Sequence, residues 1–250
     1  MNPFNLQGKT ALVTGGSRGL GRGIALGLAQ AGANVLVLGR TPNPDVIEQI
    51  RTHGVRGEFV ACDLGDIDSL EEQVQGILAQ HGQVDILVNN AGLQSRHKAE
   101  DFPRADWDRV IGVNMTAPFF LCQALGRHML AKGGGKIINI ASLLSFQGGL
   151  TVPAYAASKG AVAQFTKSLS NEWASRGINV NCIVPGYMDT DMNVALKADG
   201  TRSRQIMERI PAGRWGTPED MAGAAVFLAS AASDYIHGAA IVVDGGWLGR

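Results

Sequence analysis

The chain has 250 residues, of which 45% are hydrophobic and 18% are charged, so it has enough apolar side chains for a large core and too little polarity for disorder. Lysine plus arginine and aspartate plus glutamate both total 22, which excludes the basic excess of a nucleic-acid-binding protein. We therefore expect a small-molecule substrate, with neither nucleic acid nor a membrane as a partner.

The three cysteines, Cys62, Cys122 and Cys182, lie far apart, each in or beside an apolar segment. Their odd number and wide spacing predict buried thiols and argue against disulfides or a metal site. The sequence shows no secretory signal pattern and no apolar run of about eighteen residues. We expect a soluble, cytoplasmic protein.

Short apolar segments alternate with helical patterns along the chain. The first segment, KTALVTGG, stops at glycines and is followed by the helical pattern LGRGIALGLAQAG. The alternation continues with ANVLVLG, PDVIEQIRTHG, GEFVACD, IDSLEEQVQGILAQHG, VDILVNN, a helix from Asp106 to about Lys132, GKIINIAS, a helix from Pro153 to Arg176, INVNCIVP, a helix from Pro218 to Ser230, and AAIVVDGG. This pattern predicts an α/β fold in one domain, 1–250: a Rossmann-type doubly wound parallel sheet of about seven strands with helices on both faces.

One interval interrupts the alternation. Residues 186–211 are polar, contain four basic residues and follow the sixth predicted strand. A long insertion after the carboxyl end of a strand predicts a substrate lid. A surface loop with one or two helical turns is the alternative.

A glycine-rich turn, TGGSRGLG, follows the first predicted strand. Gly15, Gly19 and Gly21 would let backbone amides approach a pyrophosphate at a helix N-terminus, where the helix dipole favours negative charge. The spacing G-x-x-x-G-x-G differs from the familiar G-x-G-x-x-G. Its position at the start of a strand–helix repeat nevertheless indicates a dinucleotide.

Tyr155 and Lys159 lie four residues apart in a predicted helix, on the same face and one turn from each other. The alternative interpretation is an aromatic ring that packs over a lysine stem. A free tyrosine has a pKa near 10 and is a poor base at neutral pH. A nearby ammonium group would favour the phenolate and lower that pKa.

Six elements in order resemble the motif set of the short-chain dehydrogenase/reductase family, over essentially the whole chain. They are TGGSRGLG, NNAG at 89–92, Asn114, Ser142, the Tyr155-x-x-x-Lys159 pair, and Pro185 with Gly186. The resemblance implies an NAD(P)-dependent oxidoreductase that interconverts a secondary alcohol and a ketone.

The resemblance assigns four catalytic residues. Tyr155 would exchange a proton with the substrate oxygen, and Lys159 together with the positive ring of an oxidised nicotinamide would lower the pKa of its phenol. Ser142 would orient the same oxygen, although serines also end strands as helix caps. Asn114 would hold a water that joins Lys159 to solvent, and its alternative is an inward amide satisfied by backbone. Asn90 is expected to tie neighbouring strand ends beside the cofactor.

The cofactor choice depends on the end of the second strand, where an acidic residue would bind a ribose 2′-hydroxyl and an arginine a 2′-phosphate. The acidic position here is Gly39, followed by Arg40, and Arg18 lies in the phosphate loop. NADP(H) is therefore favoured; NAD(H) is the alternative if both arginines are solvated surface residues. Asp63 is expected to contact adenine. The predicted cofactor contacts are Gly15, Ser17, Arg18, Gly19, Leu20, Gly21, Arg40, Asp63, Leu64, Asn90, Ala91, Gly92, Tyr155, Lys159, Pro185, Gly186, Met188 and Thr190.

Within the family, the second half of the chain resembles the 2-deoxy-D-gluconate 3-dehydrogenase and 2-keto-3-deoxygluconate dehydrogenase group. The strings that carry this resemblance are IINIASLLSFQGGLTVPAYAASK, NEWA, INVNCIVPGYM, IPAGRWG and SDYIHGAAIVVDGGWLGR. The group is usually associated with NAD, which the GR after the second strand fits poorly. A sugar acid needs a cation for its carboxylate and donors for its hydroxyls. The candidate substrate residues are Arg96, Gln147, Tyr187, Arg202 and Arg204.

Two other functions stay open. One is another reductase of the family, either a 3-oxoacyl-carrier-protein reductase or a gluconate 5-dehydrogenase. The helix around Arg127, His128 and Lys132 is only mildly basic, which disfavours a carrier-protein partner. The other is a non-catalytic nucleotide-binding protein, against which the intact catalytic motif argues.

The resemblance also implies a homotetramer, with the helices that begin near Asp106 and Pro153 at the larger interface. Trp247 and Leu248 follow the last predicted strand too closely for a further helix to cover them. Such side chains either fold back over their own domain or pack against another subunit, and we expect the second, with the C-terminus near the substrate pocket of a neighbouring subunit.

Overall fold

The computed structural model describes residues 2–250, with Ala195 described by its backbone only. Seven parallel strands form one sheet in the order β3-β2-β1-β4-β5-β6-β7, which confirms the predicted fold class. The strands are β1 (Thr10–Thr14), β2 (Asn34–Gly39), β3 (Gly57–Ala61), β4 (Ile86–Asn89), β5 (Gly135–Ile140), β6 (Ile178–Pro185) and β7 (Ala240–Val243).

The helices are α1 (Gly19–Gln30), α2 (Pro44–Arg51), α3 (Leu70–His81), α4 (Arg104–Ile111), α5 (Ala117–Lys132), α6 (Pro153–Trp173), α7 (Val194–Ala198), α8 (Gly200–Arg209) and α9 (Ala222–Ala229). A π-helical turn, Gly112–Thr116, joins α4 to α5, so the long helix predicted from Asp106 contains a local change of hydrogen bonding. Within 2–250, no helix combines the length and the apolar character that a membrane crossing requires.

The sheet is covered on both faces because successive side chains of each buried strand point to opposite sides. In β1, Ala11 and Val13 face a core formed with α1, α2 and α9, whereas Leu12 faces a second core formed with α3, α5 and α6. Cys62, Cys122 and Cys182 are buried free thiols, as predicted.

The interval 186–211 is mostly helical, because it contains α7 and α8 after a short 3₁₀ turn. Ile206 and Ile210 of this interval are buried in a third apolar cluster, which also contains Trp215 and Trp247. The interval is therefore packed on the domain, and its function as a substrate lid stays a prediction.

The position of Trp247 bears on one expectation about the C-terminus. Its side chain is 5% exposed and packs within its own chain, so it folds back over its own domain, and a contact between the C-terminus and a neighbouring subunit stays a prediction. Helix α8 and the turn after β6 cover it, which the terminal sequence alone could not reveal.

Candidate active site

The loop between β1 and α1 is shaped for an anion. Gly15 has a φ of +65°, and a Cβ there would lie 3.0 Å from Ala91 Cα. A Cβ at Gly21 would overlap the carbonyl oxygen of Gly15. Arg18, at the N-cap of α1, makes no side-chain capping bond to the described residues, so the first N–H groups of the helix can bind an anion. The loop thus fits the pyrophosphate of a nicotinamide dinucleotide.

The carboxyl ends of β1 and β4 are joined where the strand order reverses. Thr14 Oγ1 accepts the backbone N–H groups of Asn90 and Ala91, both at 2.9 Å. Asn90 Nδ2 in turn donates to the carbonyl of Thr14 at 2.9 Å. Open α/β sheets bind ligands in the crevice at such a switch point.

Two predicted arginines lie on connected loops beside this crevice. Ser17 Oγ donates to the carbonyl of Thr41 at 3.0 Å, which holds the phosphate loop of Arg18 next to the loop of Arg40. Arg18 Nη1 is 3.4 Å from Asp191 Oδ2, and the two side chains are 80% and 73% exposed. Such an exposed ion pair contributes little free energy, so Arg18 can exchange it for a phosphate.

The remaining predicted cofactor residues follow the same edge of the sheet. Asp63 follows β3, and its carboxylate accepts the N–H of Gly65 at 2.9 Å. After β6, a Cβ at Gly186 would lie 2.6 Å from Asp244 Cα, so only glycine fits there. The others are Leu20 in the first turn of α1, Leu64 after β3, Gly92 after β4, and Met188 and Thr190 after β6.

Lys159 is buried beside Tyr155 on α6. Lys159 is 4% exposed. Its Nζ donates a hydrogen bond of 2.6 Å to the carbonyl of Ile140, at the end of β5. The same Nζ lies 5.8 Å from the centroid of the Tyr155 ring. The helical spacing therefore places the ammonium and the phenol together, as the i, i+4 pattern predicts.

The pKa of the Tyr155 phenol lies above its ordinary value, because burial disfavours the phenolate and the nearby Ser142 hydroxyl opposes this effect only in part. In the chain by itself, Lys159 therefore does not bring the pKa of Tyr155 below its ordinary value, and the lowering expected with an oxidised nicotinamide beside the phenol stays a prediction. Burial also lowers the pKa of Lys159 from 10.5 to about 8. At neutral pH, Tyr155 holds its proton and Lys159 keeps its charge.

Ser142 begins the loop after β5 and caps the 3₁₀ turn Leu143–Ser145. Its Oγ accepts the N–H of Leu144 at 3.1 Å, so its own hydroxyl proton is left to donate towards the site. Ser145 Oγ donates to the carbonyl of Lys159 at 2.7 Å. This bond ties the Ser142 loop to the helix that carries Tyr155.

Asn114 lies in the π-helical turn and is 1% exposed. Its Oδ1 accepts the N–H of Leu93 at 2.9 Å, and its Nδ2 donates to the carbonyl of Leu93 at 2.8 Å and to Ser158 Oγ at 3.2 Å. The side-chain amide thus joins the loop after β4 to α6. The amide is therefore inward and satisfied by protein groups, as the alternative interpretation has it, and the expectation that Asn114 holds a water between Lys159 and solvent stays a prediction.

The five candidate substrate residues do not form one cluster. Gln147 and Tyr187 are half-buried and both contact Trp247, through a hydrogen bond and a ring contact respectively. Arg96, Arg202 and Arg204 are exposed, and Arg204 pairs with Glu208 along the surface of α8. The structure therefore supports the polar and aromatic candidates more strongly than the three arginines.

A family model described as short chain dehydrogenase matches residues 9–200. The chain belongs to the short-chain dehydrogenase family. The 2-dehydro-3-deoxy-D-gluconate 5-dehydrogenase of Dickeya dadantii is 51% identical over 251 aligned positions, which cover 100% of this chain and 99% of the relative.

Two solved structures are similar to this short-chain dehydrogenase over the full length. A protein of Agrobacterium tumefaciens with bound NADP, named provisionally as a 2-deoxy-D-gluconate 3-dehydrogenase, has a TM-score of 0.95 at 50% identity, with 100% of both chains covered. A gluconate 5-dehydrogenase of Burkholderia cenocepacia, in complex with NADP and tartrate, has a TM-score of 0.95 at 40% identity. The alignment covers 100% of this chain and 98% of that one.

Sequence reasoning missed several residues that organise this short-chain dehydrogenase site. Ser145 and Ser158 tie α6 to its neighbouring loops, and their small polar side chains gave no distinctive pattern beyond the serine spacing of a capping box. His97 Nε2 lies 2.6 Å from Asp106 Oδ2 and joins the loop after β4 to α4. The sequence alone does not show that His97 and Asp106 are in contact, because this contact depends on how the loop after β4 packs on α4.

The buried charge of Lys159 predicts a pH-dependent stability. Between pH 8 and about 10.5 the unfolded chain holds a proton that the folded chain has released, so burial of Lys159 costs less as pH rises. Lys159→Met removes this cost, so it should change the free energy of unfolding in the stabilising direction more at pH 7 than at pH 10.5. The expected difference between the two pH values is about 3 kcal/mol. Urea unfolding of both proteins across this range measures the difference.

Lys167→Met is the matched control, because Lys167 is an exposed lysine of the same helix. Its effect on the free energy of unfolding should not change across this pH window. A Lys159→Met effect equally independent of pH would show that Lys159 titrates like an exposed lysine.

Proposed function

We propose that this chain is an NADP(H)-dependent oxidoreductase that interconverts a secondary alcohol and a ketone on a sugar acid, with 2-dehydro-3-deoxy-D-gluconate oxidised at carbon 5 as its reaction. The observation that carries this proposal is the meeting of Ser142, Tyr155 and Lys159 at the carboxyl edge of the sheet. The full-length identity to the Dickeya dadantii enzyme supports the substrate.

Tyr155 is the acid/base group of this reaction. Its raised pKa keeps the proton on the phenol at neutral pH, so it can donate that proton to a carbonyl oxygen during reduction. In the opposite direction it accepts the proton of the substrate hydroxyl, which a higher pH and a nearby positive charge both favour. Ser142 donates its free hydroxyl proton to the same oxygen and orients it.

The nicotinamide ring of the cofactor supplies the hydride chemistry when it is bound. The phosphate loop and the N-terminus of α1 hold the pyrophosphate, and Arg18 and Arg40 bind the 2′-phosphate. The absence of a carboxylate at Gly39 removes the group that would favour NAD(H). The NADP named with both similar structures supports this preference.

A gluconate 5-dehydrogenase is the second candidate, because a protein of that name is 40% identical over the whole chain. Both candidates are sugar-acid oxidoreductases and would use the same catalytic residues. A carrier-protein reductase is less well supported: Arg127 pairs with Glu71, and Lys132 lies 3.5 Å from Asp85, so the mild basic charge of this surface is partly neutralised.

We also propose a homotetramer in the cytoplasm, where a nicotinamide-dependent enzyme finds its cofactor pool. Trp107 on α4 and Phe120 on α5 are 38% and 40% exposed. These large apolar side chains support an interface on the two helices.

The experiment that tests the proposed function is a panel of substrates assayed with both nicotinamides. 2-Dehydro-3-deoxy-D-gluconate should give the highest kcat/KM, ahead of D-gluconate, 2-deoxy-D-gluconate and an acetoacetyl thioester. NMR of the product should place the new ketone at carbon 5. A higher kcat/KM for D-gluconate would favour the second candidate, and turnover of the thioester alone would refute a sugar-acid enzyme.

Tyr155→Phe should reduce kcat by at least about 100-fold, because it removes the transferable proton and little else. Calorimetry should find cofactor binding almost unchanged. Tyr235→Phe is the control, since Tyr235 is 99% exposed and its substitution should leave kcat at the parent value. Turnover by Tyr155→Phe within about tenfold of the parent would remove Tyr155 from the reaction.

Replacement of both Arg18 and Arg40 by alanine should weaken NADP(H) binding by about 3 kcal/mol, since each loses a hydrogen bond to a charged phosphate. NAD(H) binding, measured by the same titration, should stay within about twofold of the parent. Arg104→Ala provides the control, because Arg104 is an exposed arginine that pairs with Asp108 on α4. A parent that binds NAD(H) more tightly than NADP(H) would contradict the assignment.

A further inference from the structure

The C-terminal turn Trp247–Gly249 is held firmly on the domain. The Asp244 carboxylate, directly after β7, accepts the N–H of Gly246 at 2.7 Å and the N–H of Leu248 at 2.8 Å. These two bonds fix the backbone on both sides of Trp247. The indole is thereby presented to the interior of its own chain.

Trp247 contacts three separate segments around the candidate substrate site. Its Nε1 donates to Gln147 Oε1, in the loop after β5, at 3.0 Å. The Tyr187 ring, in the turn after β6, lies 4.6 Å from the indole centroid. The guanidinium carbon of Arg209, at the end of α8, lies 4.0 Å from that ring. One side chain thus joins the Ser142 loop, the turn after β6 and the end of α8.

The indole bond determines which way the Gln147 amide points. An indole N–H can only donate, so it selects the amide oxygen as its partner. The amide nitrogen is then directed away from the indole, and it has no hydrogen-bond partner among residues 2–250. Gln147 is half-buried and follows Ser142 by five positions in the same loop. Its two N–H donors are therefore available to a ligand in that region.

We infer that Trp247 is a positioning residue that orients Gln147, so that Gln147 donates hydrogen bonds to an oxygen of the sugar acid. The inference rests on the proposed function. A sugar acid offers carboxylate, hydroxyl and carbonyl oxygens, all of which accept hydrogen bonds. A reversed amide would present its own oxygen and repel a carboxylate, so the orientation selects for an anionic, oxygen-rich substrate.

The first test measures the hydrogen bond without any substrate. In the full chain labelled with ¹⁵N-tryptophan, Trp247→Phe identifies the indole resonance of Trp247. Gln147→Ala should then shift that resonance, because the indole loses its acceptor, and should leave the Trp215 resonance in place. An unshifted Trp247 resonance would show that the bond does not form and would overturn the inference.

The second test measures the kinetic consequence on 2-dehydro-3-deoxy-D-gluconate. Trp247→Phe keeps an aromatic ring but loses the donor, and should raise the KM about tenfold with kcat and the KM for NADP(H) almost unchanged. Trp215→Phe is the matched control. Trp215 also packs against the Tyr187 ring, but its Nε1 is buried without a hydrogen-bond partner in the described chain, so its loss should not change the KM.

Two Gln147 variants separate orientation from structure. Gln147→Glu keeps an oxygen for the indole but replaces the amino group by an anionic oxygen, so it should raise the KM more than Trp247→Phe does. In Gln147→Ala, the further change Trp247→Phe should add little, because its effect acts through Gln147.

Equal KM increases in Trp247→Phe and Trp215→Phe, or additive effects in the double variant, would reduce Trp247 to a packing residue and overturn the inference. If the parent turns over no sugar acid while the indole shift is present, the proposed function fails, and with it the substrate contact of Gln147. The hydrogen bond would still stand, so the two failures are distinguishable.

Discussion

A buried ammonium group is the constraint around which this site is organised. Lys159 can remain charged at 4% exposure because its Nζ donates to the carbonyl of Ile140, at the end of a central strand. A charge in such a place needs a fixed partner, since an unpaired buried charge is costly. The bond therefore fixes the position of α6 relative to the edge of the sheet. It also fixes the position of Tyr155, which lies one turn earlier on the same helix. Ser145 adds a second tie by donating to the carbonyl of Lys159.

The parallel sheet brings segments that are distant in the sequence together in one site. Because all seven strands run in the same direction, the loops that follow β1, β4, β5 and β6 meet at one edge. The Thr14–Asn90 bonds join the carboxyl ends of β1 and β4 at the switch point, and the Asn114 amide joins the loop after β4 to α6. The C-terminal turn after β7 contacts the loops after β5 and β6 through Trp247.

The sequence predicted the features that depend on local spacing. The i, i+4 relation of Tyr155 and Lys159 and the alternation of apolar segments follow from helix and strand periodicity, so they need no knowledge of distant contacts. Features that depend on packing were missed. The pKa of Tyr155 is raised in the chain by itself because the folded chain desolvates its phenol, and no local pattern reports that desolvation. Trp247 folds back because α8 and the turn after β6 cover it, which the terminal sequence alone does not show.

The most direct test of this organisation is an NMR titration of the parent labelled with ¹³C-lysine, with Lys159→Met to identify the Lys159 side chain. If the ammonium is buried against Ile140, the Lys159 resonance should titrate near pH 8, where the pKa of about 8 places it. A Lys159 resonance that shows no titration step near pH 8 would contradict the buried, paired ammonium on which the site depends.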